Sequence, residues 1–179
     1  MKPTIITFSG KAQHGKDSSV GILKNLLEEK NIRVLAVNYA EYIKHLARQY
    51  FDWNGEKDEK GRSLLQWLGV ANVNQGIPNF WVDNVIGITK LLEGSYDYVL
   101  IGDCRFPKDI NRWEEEGYNV ISVHVERLNY DNGLTEEQKN HPSEVSLDDF
   151  EFTVKLKVET LEELEVEIAR VLEGLILLI

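Results

Sequence analysis

Cysteine, methionine and proline are scarce in this chain of 179 residues, with one Cys, one Met and four Pro. The lone Cys104 cannot close an internal disulfide, which fits a reducing compartment and leaves the fold to rest on its apolar core. Long apolar runs are also missing. The longest is the five residues 175–179, against about 20 needed to span a bilayer. Met1 leads straight into a β-branched run, without the apolar segment and small-residue cleavage site of a signal peptide. The expected location is the cytosol, that of a host if the source is viral. Cations are few: 20 Lys and Arg against 30 Asp and Glu leave a formal charge of −10, whose long-range field repels polyanions. Neither a nucleic-acid polymer nor a membrane is therefore an expected partner. A small anion remains compatible, because backbone amides and a few local cations bind phosphate even inside an acidic protein.

What is present is an ordinary globular balance, 42% hydrophobic and 28% charged, over the length of one domain. Residues 4–9 form a β-branched and aromatic run that stops at Gly10, as a buried strand does. Val20, Leu23, Leu26 and Leu27 then share one stripe of a helix predicted over 17–30. A strand is expected at 33–38 and a helix at 40–51. An exposed loop at 54–61 follows, then helical segments at 62–68 and 80–92 separated by a loop holding Gly69, Gly76 and Pro78. A strand at 98–103 ends in Asp103, and a helix around Ile110 and Trp113 links it to a strand at 118–125. The polar segment 129–142 has the length of a mobile lid rather than a tight turn. A last strand at 152–158 precedes a helix with a Thr160–Glu163 capping box and Leu161, Leu164, Ile168, Leu172 and Leu175 at helical spacing. The alternation predicts an α/β fold in three layers, a single parallel sheet with helices on both faces and a small lid.

The strongest chemical signal lies at the first strand-to-helix junction. Gly10-Lys11-Ala12-Gln13-His14-Gly15-Lys16 matches G-x-x-x-x-G-K between a strand and a helix, the context a phosphate-binding P-loop requires. Its glycines let amides converge, the helix N-terminus adds positive potential, and Lys16 reaches the terminal phosphates of ATP. The position after Lys16 holds Asp17 where Ser or Thr binds Mg2+, and Ser18 follows, so Ser18 is the expected hydroxyl donor to the metal.

A second signal closes the strand at 98–103. Asp103 stands where a carboxylate orients hydrated magnesium, and Asp103-Cys104-Arg105-Phe106-Pro107 sets a guanidinium beside it at a strand's carboxyl end. Arg105 suits a bidentate grip on an acceptor phosphate, the bland alternative being a surface pair with Asp109. Cys104 reads as a small packed side chain.

In this order, Gly10-Lys11-Ala12 with Gly15-Lys16-Asp17-Ser18, Arg62-Ser63-Leu64-Leu65-Gln66-Trp67-Leu68-Gly69, Asp103-x-Arg105-Phe106-Pro107 and His141-Pro142-Ser143-Glu144 resemble the phage-type deoxynucleoside monophosphate kinases across nearly the whole chain. The resemblance implies a single P-loop kinase domain over 1–179, with 52–92 as a helical substrate-binding region and 127–143 as lid. It implies transfer of the γ-phosphoryl of ATP to a deoxynucleoside monophosphate with Mg2+. Gly10, Lys11, Gln13, His14, Gly15, Lys16, Asp17 and Ser18 would hold ATP, and Ser18 and Asp103 the metal. Lys11, Arg62, Gln66, Trp67, Arg105, His141 and Glu144 would face the monophosphate. Lys16, Arg105, Asp103 and Arg127 would carry catalysis. The chain departs from the family after Gly69, where Val70 and Ala71 replace a Thr and a following Arg, so one positive contact is missing.

Trp67, Phe80 and Trp81 could stack on a base, although aromatics at such spacing more often pack in a core. No N-K-x-D motif reads guanine, and Cys104 rather than Glu follows Asp103, which disfavours a GTPase switch and a motor ATPase. The alternatives are another small-molecule P-loop kinase, of the dephospho-coenzyme A or phosphomevalonate type, and a non-catalytic ATP-binding protein with the apolar C-terminal tail as its interface. A homodimer is compatible with each.

Overall fold

In the computed structural model, which describes residues 1–56 and 58–176, five strands form one parallel sheet. They are β1 (Thr4–Ser9), β2 (Val34–Val37), β3 (Tyr98–Ile101), β4 (Val120–Arg127) and β5 (Val154–Val158), in the order β2-β3-β1-β4-β5. Between them run α1 (Lys16–Glu29), α2 (Tyr39–Tyr50), α3 (Glu59–Asn74), α4 (Phe80–Leu91), α5 (Lys108–Glu115), the short α6 (Glu136–Lys139) and α7 (Pro142–Val145), and finally α8 (Leu161–Ile176).

The central strands are covered on both faces, which is why β1 and β3 read as apolar runs without alternation. On one face Ile6, Phe8, Leu100 and Val123 meet Leu23 and Leu27 of α1 and Leu164, Ile168 and Leu172 of α8. On the other, Ile5, Val99 and Ile101 meet Val82, Val85 and Ile86 of α4 and Ile110 and Trp113 of α5. A smaller core of Ala47, Trp53 and Leu68 packs α2 on α3, away from the sheet. Edge strand β5 alternates, with Lys155 and Lys157 exposed, and such charges discourage pairing with another edge. The chain leaves β1 towards β2 and later returns to β1's opposite side as β4. The carboxyl end of β1 is thus a topological switch point, where sheets of this kind bind ligands.

Most expected elements are present with bounds shifted by a residue or two, and some details differ further. Helix α3 starts within the expected loop 54–61 because Asp58 caps it, its Oδ1 accepting the Gly61 amide at 2.7 Å, and it runs past the expected end at 68 and through Gly69. Lys57 in that loop lies outside the described residues, as do residues 177–179 of the proposed interface tail; Leu175 is buried in the core. Strand β4 extends two residues past the expected 118–125, so Arg127 ends a strand rather than opening the lid. The lid is not structureless: α6 is closed by a Thr135–Gln138 capping box and α7 by the His141 side chain. Thr160 caps α8 as expected, its Oγ1 accepting the Glu163 amide at 3.2 Å, but the Glu163 carboxylate accepts the amide of Glu159, one residue early. Among the described residues no helix is long and apolar enough to cross a membrane.

Candidate functional site

The loop after β1 is shaped by two glycines. A side chain on Gly10 would place its Cβ 2.3 Å from the Val125 carbonyl oxygen, so only glycine lets β1 run that close to β4 there. Gly15 has φ +97°, and Gln13 between them is also left-handed at φ 62°. Lys16 then opens α1 with its side chain buried. Its Nζ donates to the carbonyl oxygens of Gly10 and Lys11, each at 2.7 Å. Burial first, and then the charge of Arg105, push its pKa down to about 8. The lysine is parked on the loop's own carbonyls, in reach of whatever the loop binds.

Asp17 and Ser18, the two oxygen-bearing residues after Lys16, are both exposed at the start of α1, whereas Lys16 is buried. The charge of Asp17, like that of Asp103, raises the Lys16 pKa against the effect of burial. Ser19 is buried, but its Oγ donates to the Gly15 carbonyl at 2.9 Å within the helix.

Asp103 bridges β3 and α2: its two carboxylate oxygens accept the amides of Tyr39 at 2.9 Å and Ala40 at 2.8 Å. In return Asn38 Oδ1 accepts the amide of Gly102 at 3.1 Å. Burial raises the Asp103 pKa while the two amides oppose the rise. Each oxygen keeps a lone pair beyond its amide bond. Asp109 does not pair with the Arg105 side chain. Its Oδ2 accepts the backbone amides of Arg105 and Phe106, both at 2.9 Å. The guanidinium turns instead across the site, where Nη1 donates to the Ser143 carbonyl at 3.2 Å and pairs with the Glu144 carboxylate.

The segment after β4 folds back over the loop. Arg127's amide donates to His14 Nδ1 at 3.1 Å, its guanidinium lies 4.0 Å above the Tyr130 ring, and the Tyr130 hydroxyl donates to Gln13 Oε1 at 2.6 Å. Burial and then Lys16 lower the His14 pKa, in keeping with an unprotonated Nδ1 acting as acceptor. Glu144 Oε2 accepts the Ala12 amide at 2.9 Å, and Lys11 forms an ion pair with Asp148 at 2.9 Å. An open cavity of about 440 Å³ lies between this segment and the loop, lined by His14, Tyr130, Asn132, Lys139 and Glu144 among others.

Lys16, Asp103, Arg105, Arg127 and Glu144 thus gather with the loop at the carboxyl edge of the sheet. His141 serves as the cap of α7, its Nδ1 accepting the Ser143 amide at 3.2 Å. Arg62, Gln66 and Trp67 sit on the exposed side of α3, Trp67 resting edge-on against Phe51 with ring centroids 5.5 Å apart. The half-buried Trp81 donates its Nε1 to the Gly69 carbonyl at 3.2 Å. Sequence reasoning missed the roles of Asp109, Tyr130 and Asp148. An Asp four residues beyond Arg105, opening a helix, was a signal for the first; the others depend on tertiary approach.

No family model matches the chain, and no curated protein does. Solved structures do. The Mycobacterium tuberculosis APS kinase CysC in complex with AMPPNP and APS is similar with a TM-score of 0.52 at 13% identity, covering 96% of this chain and 98% of that one. The likeness is one of fold, a parallel sheet flanked by helices. The protein APE1195 is similar with a TM-score of 0.55 at 16% identity, over 97% of this chain and 96% of that one. TT1252 from Thermus thermophilus gives 0.51 at 16%, over 98% and 99%.

Proposed function

We propose that the protein is a kinase that transfers the γ-phosphoryl of ATP to a nucleoside monophosphate, a deoxynucleotide as the sequence resemblance implies. One observation carries the reading. The loop and Arg105 converge on a single carboxylate, so that a loop amide and a guanidinium already hold an anion between them. That is the donor set needed to bring two phosphates together.

An acceptor phosphate brings its own nucleophilic oxygen, so alignment and charge stabilisation replace a general base. Lys16 would leave the carbonyls of Gly10 and Lys11 for the phosphate oxygens, and Arg105 would hold the acceptor. The Tyr130 and Asn132 region would close over the loop and exclude water, which limits futile hydrolysis. Magnesium fits the donors present: Asp17 and Asp103 offer hard carboxylate oxygens near Lys16, Ser18 adds a hydroxyl beside Asp17, and together they would hold the hydrated ion. Bound there, it would neutralise charge across the phosphates.

The test is release of ADP from ATP and magnesium with a panel of deoxynucleoside and ribonucleoside monophosphates, dephospho-coenzyme A and APS. Turnover that requires a nucleoside monophosphate and is lost in Lys16→Ala and Arg105→Ala supports the reading. Turnover with another acceptor alone would replace it, and ATP binding without any acceptor-dependent turnover would favour a binding role.

A further inference from the structure

The side chain of Glu144 is only 8% exposed, yet its partners are not those of a structural ion pair between two surface elements. One oxygen meets the guanidinium of Arg105 and the other the amide of Ala12, inside the phosphate-binding loop. Short helix α7 carries it there. The His141 cap opens that helix, and the next residues are tied down by buried Leu147 and by the Lys11–Asp148 ion pair. Lys16 meanwhile bonds the loop's own carbonyls. The resting site is therefore satisfied by the protein itself, and a carboxylate stands where two phosphate donors meet.

We infer that Glu144 is a specificity-determining residue: its carboxylate occupies the anion position between the Ala12 amide and Arg105, and only a ligand that presents a phosphate group displaces it. The inference rests on the kinase reading for the identity of the site, and it adds which acceptors the site admits.

Competition explains the selectivity. A tethered carboxylate acts at an effective concentration of about millimolar or more, and a ligand's apparent Kd rises by the fraction of molecules in which the position is filled. A phosphate dianion outbids a carboxylate because it carries about twice the charge and matches the guanidinium fork with oxygens to spare. A neutral hydroxyl has nothing to offer Arg105, and displacing Glu144 for it would leave a charge pair broken. Glu144 thus admits phosphorylated acceptors and rejects their unphosphorylated counterparts.

The experiment is calorimetric titration of inorganic pyrophosphate, a base-independent probe, into the wild-type chain, Glu144→Gln and Glu144→Asp. Glutamine keeps the size and loses the charge; aspartate keeps the charge but is one methylene too short to span both partners. Pyrophosphate should bind each variant about tenfold more tightly than wild type, and the gain should vanish when Arg105→Ala is added. Equal or weaker binding in both variants would overturn the inference, as would a gain that survives Arg105→Ala, since the anion would then bind elsewhere. A gain in affinity without acceptor-dependent turnover in the wild type would keep the competition and refute the kinase. Absence of pyrophosphate binding in every variant would refute the competition, while the kinase reading would stand or fall on acceptor-dependent turnover.

Discussion

Asp109 holds Arg105 by its backbone and not by its side chain. Oδ2 of Asp109 accepts the Arg105 amide at 2.9 Å and the Phe106 amide at the same distance, while the guanidinium points away to Glu144. One buried carboxylate thereby fixes the turn that aims the cation. The same residue's carbonyl accepts the Tyr39 hydroxyl at 2.8 Å, and that hydroxyl accepts the indole N–H of Trp113 at 2.7 Å, tying the turn to the core.

Replacing Asp109 by Ala should strand two amides and cost about 2–6 kcal/mol of stability, on the scale of one to three per unsatisfied buried group. The KM for the acceptor should rise with it, as Arg105 loses its aim. Asp109→Asn retains an acceptor oxygen and should recover most of both. Urea denaturation and acceptor kinetics on the two variants check this.

The Asp109 pKa is pushed up to about 6, by burial above all. A carboxyl raised in the folded state gives stability that is full below its unfolded value, near 3.8, and is lost as pH rises through about 6. The wild type should therefore lose up to about 3 kcal/mol between pH 4 and 7 from this group. Asp109→Asn, neutral throughout, should lack that slope. Parallel denaturation curves for the two proteins across this window would contradict the assignment.

Lys16, with its pKa lowered to about 8, titrates in an accessible range. Phosphate needs the charged form, so an ATP analogue should bind progressively more weakly as pH rises from 7 to 9. The same lowering predicts that the fold gains stability from this group as pH rises above 8, because the unfolded chain then binds the extra proton. Lys16→Met should abolish both dependences, measured by calorimetry and by melting.

Gly10→Ala should destabilise the chain by several kcal/mol and eliminate nucleotide binding, because its Cβ would stand 2.3 Å from a carbonyl of β4, a backbone group that cannot rotate aside. Gly87→Ala, at a helical position with open space around it, is the control and should melt at or above the wild-type temperature.

The parallel sheet, its flanking helices and the loop at Gly10 to Lys16 were legible because they are written locally, in apolar runs, helical stripes and glycine spacing. Boundaries failed where a side chain outside the periodic pattern decided them, as Asp58 does by capping α3. Arg105 was readable as a candidate site residue from its place at a strand end. Its pairing with Glu144 was not, since 39 residues separate them and only the fold of the segment after β4 brings them together.

The most direct measurement is phosphorus NMR of the wild-type chain mixed with ATP, magnesium and the deoxynucleoside monophosphate that gives the fastest ADP release. The account predicts that the triphosphate and monophosphate signals decay together into two diphosphates in equal amounts. Decay of ATP to ADP and inorganic phosphate, with the monophosphate signal unchanged, would contradict it.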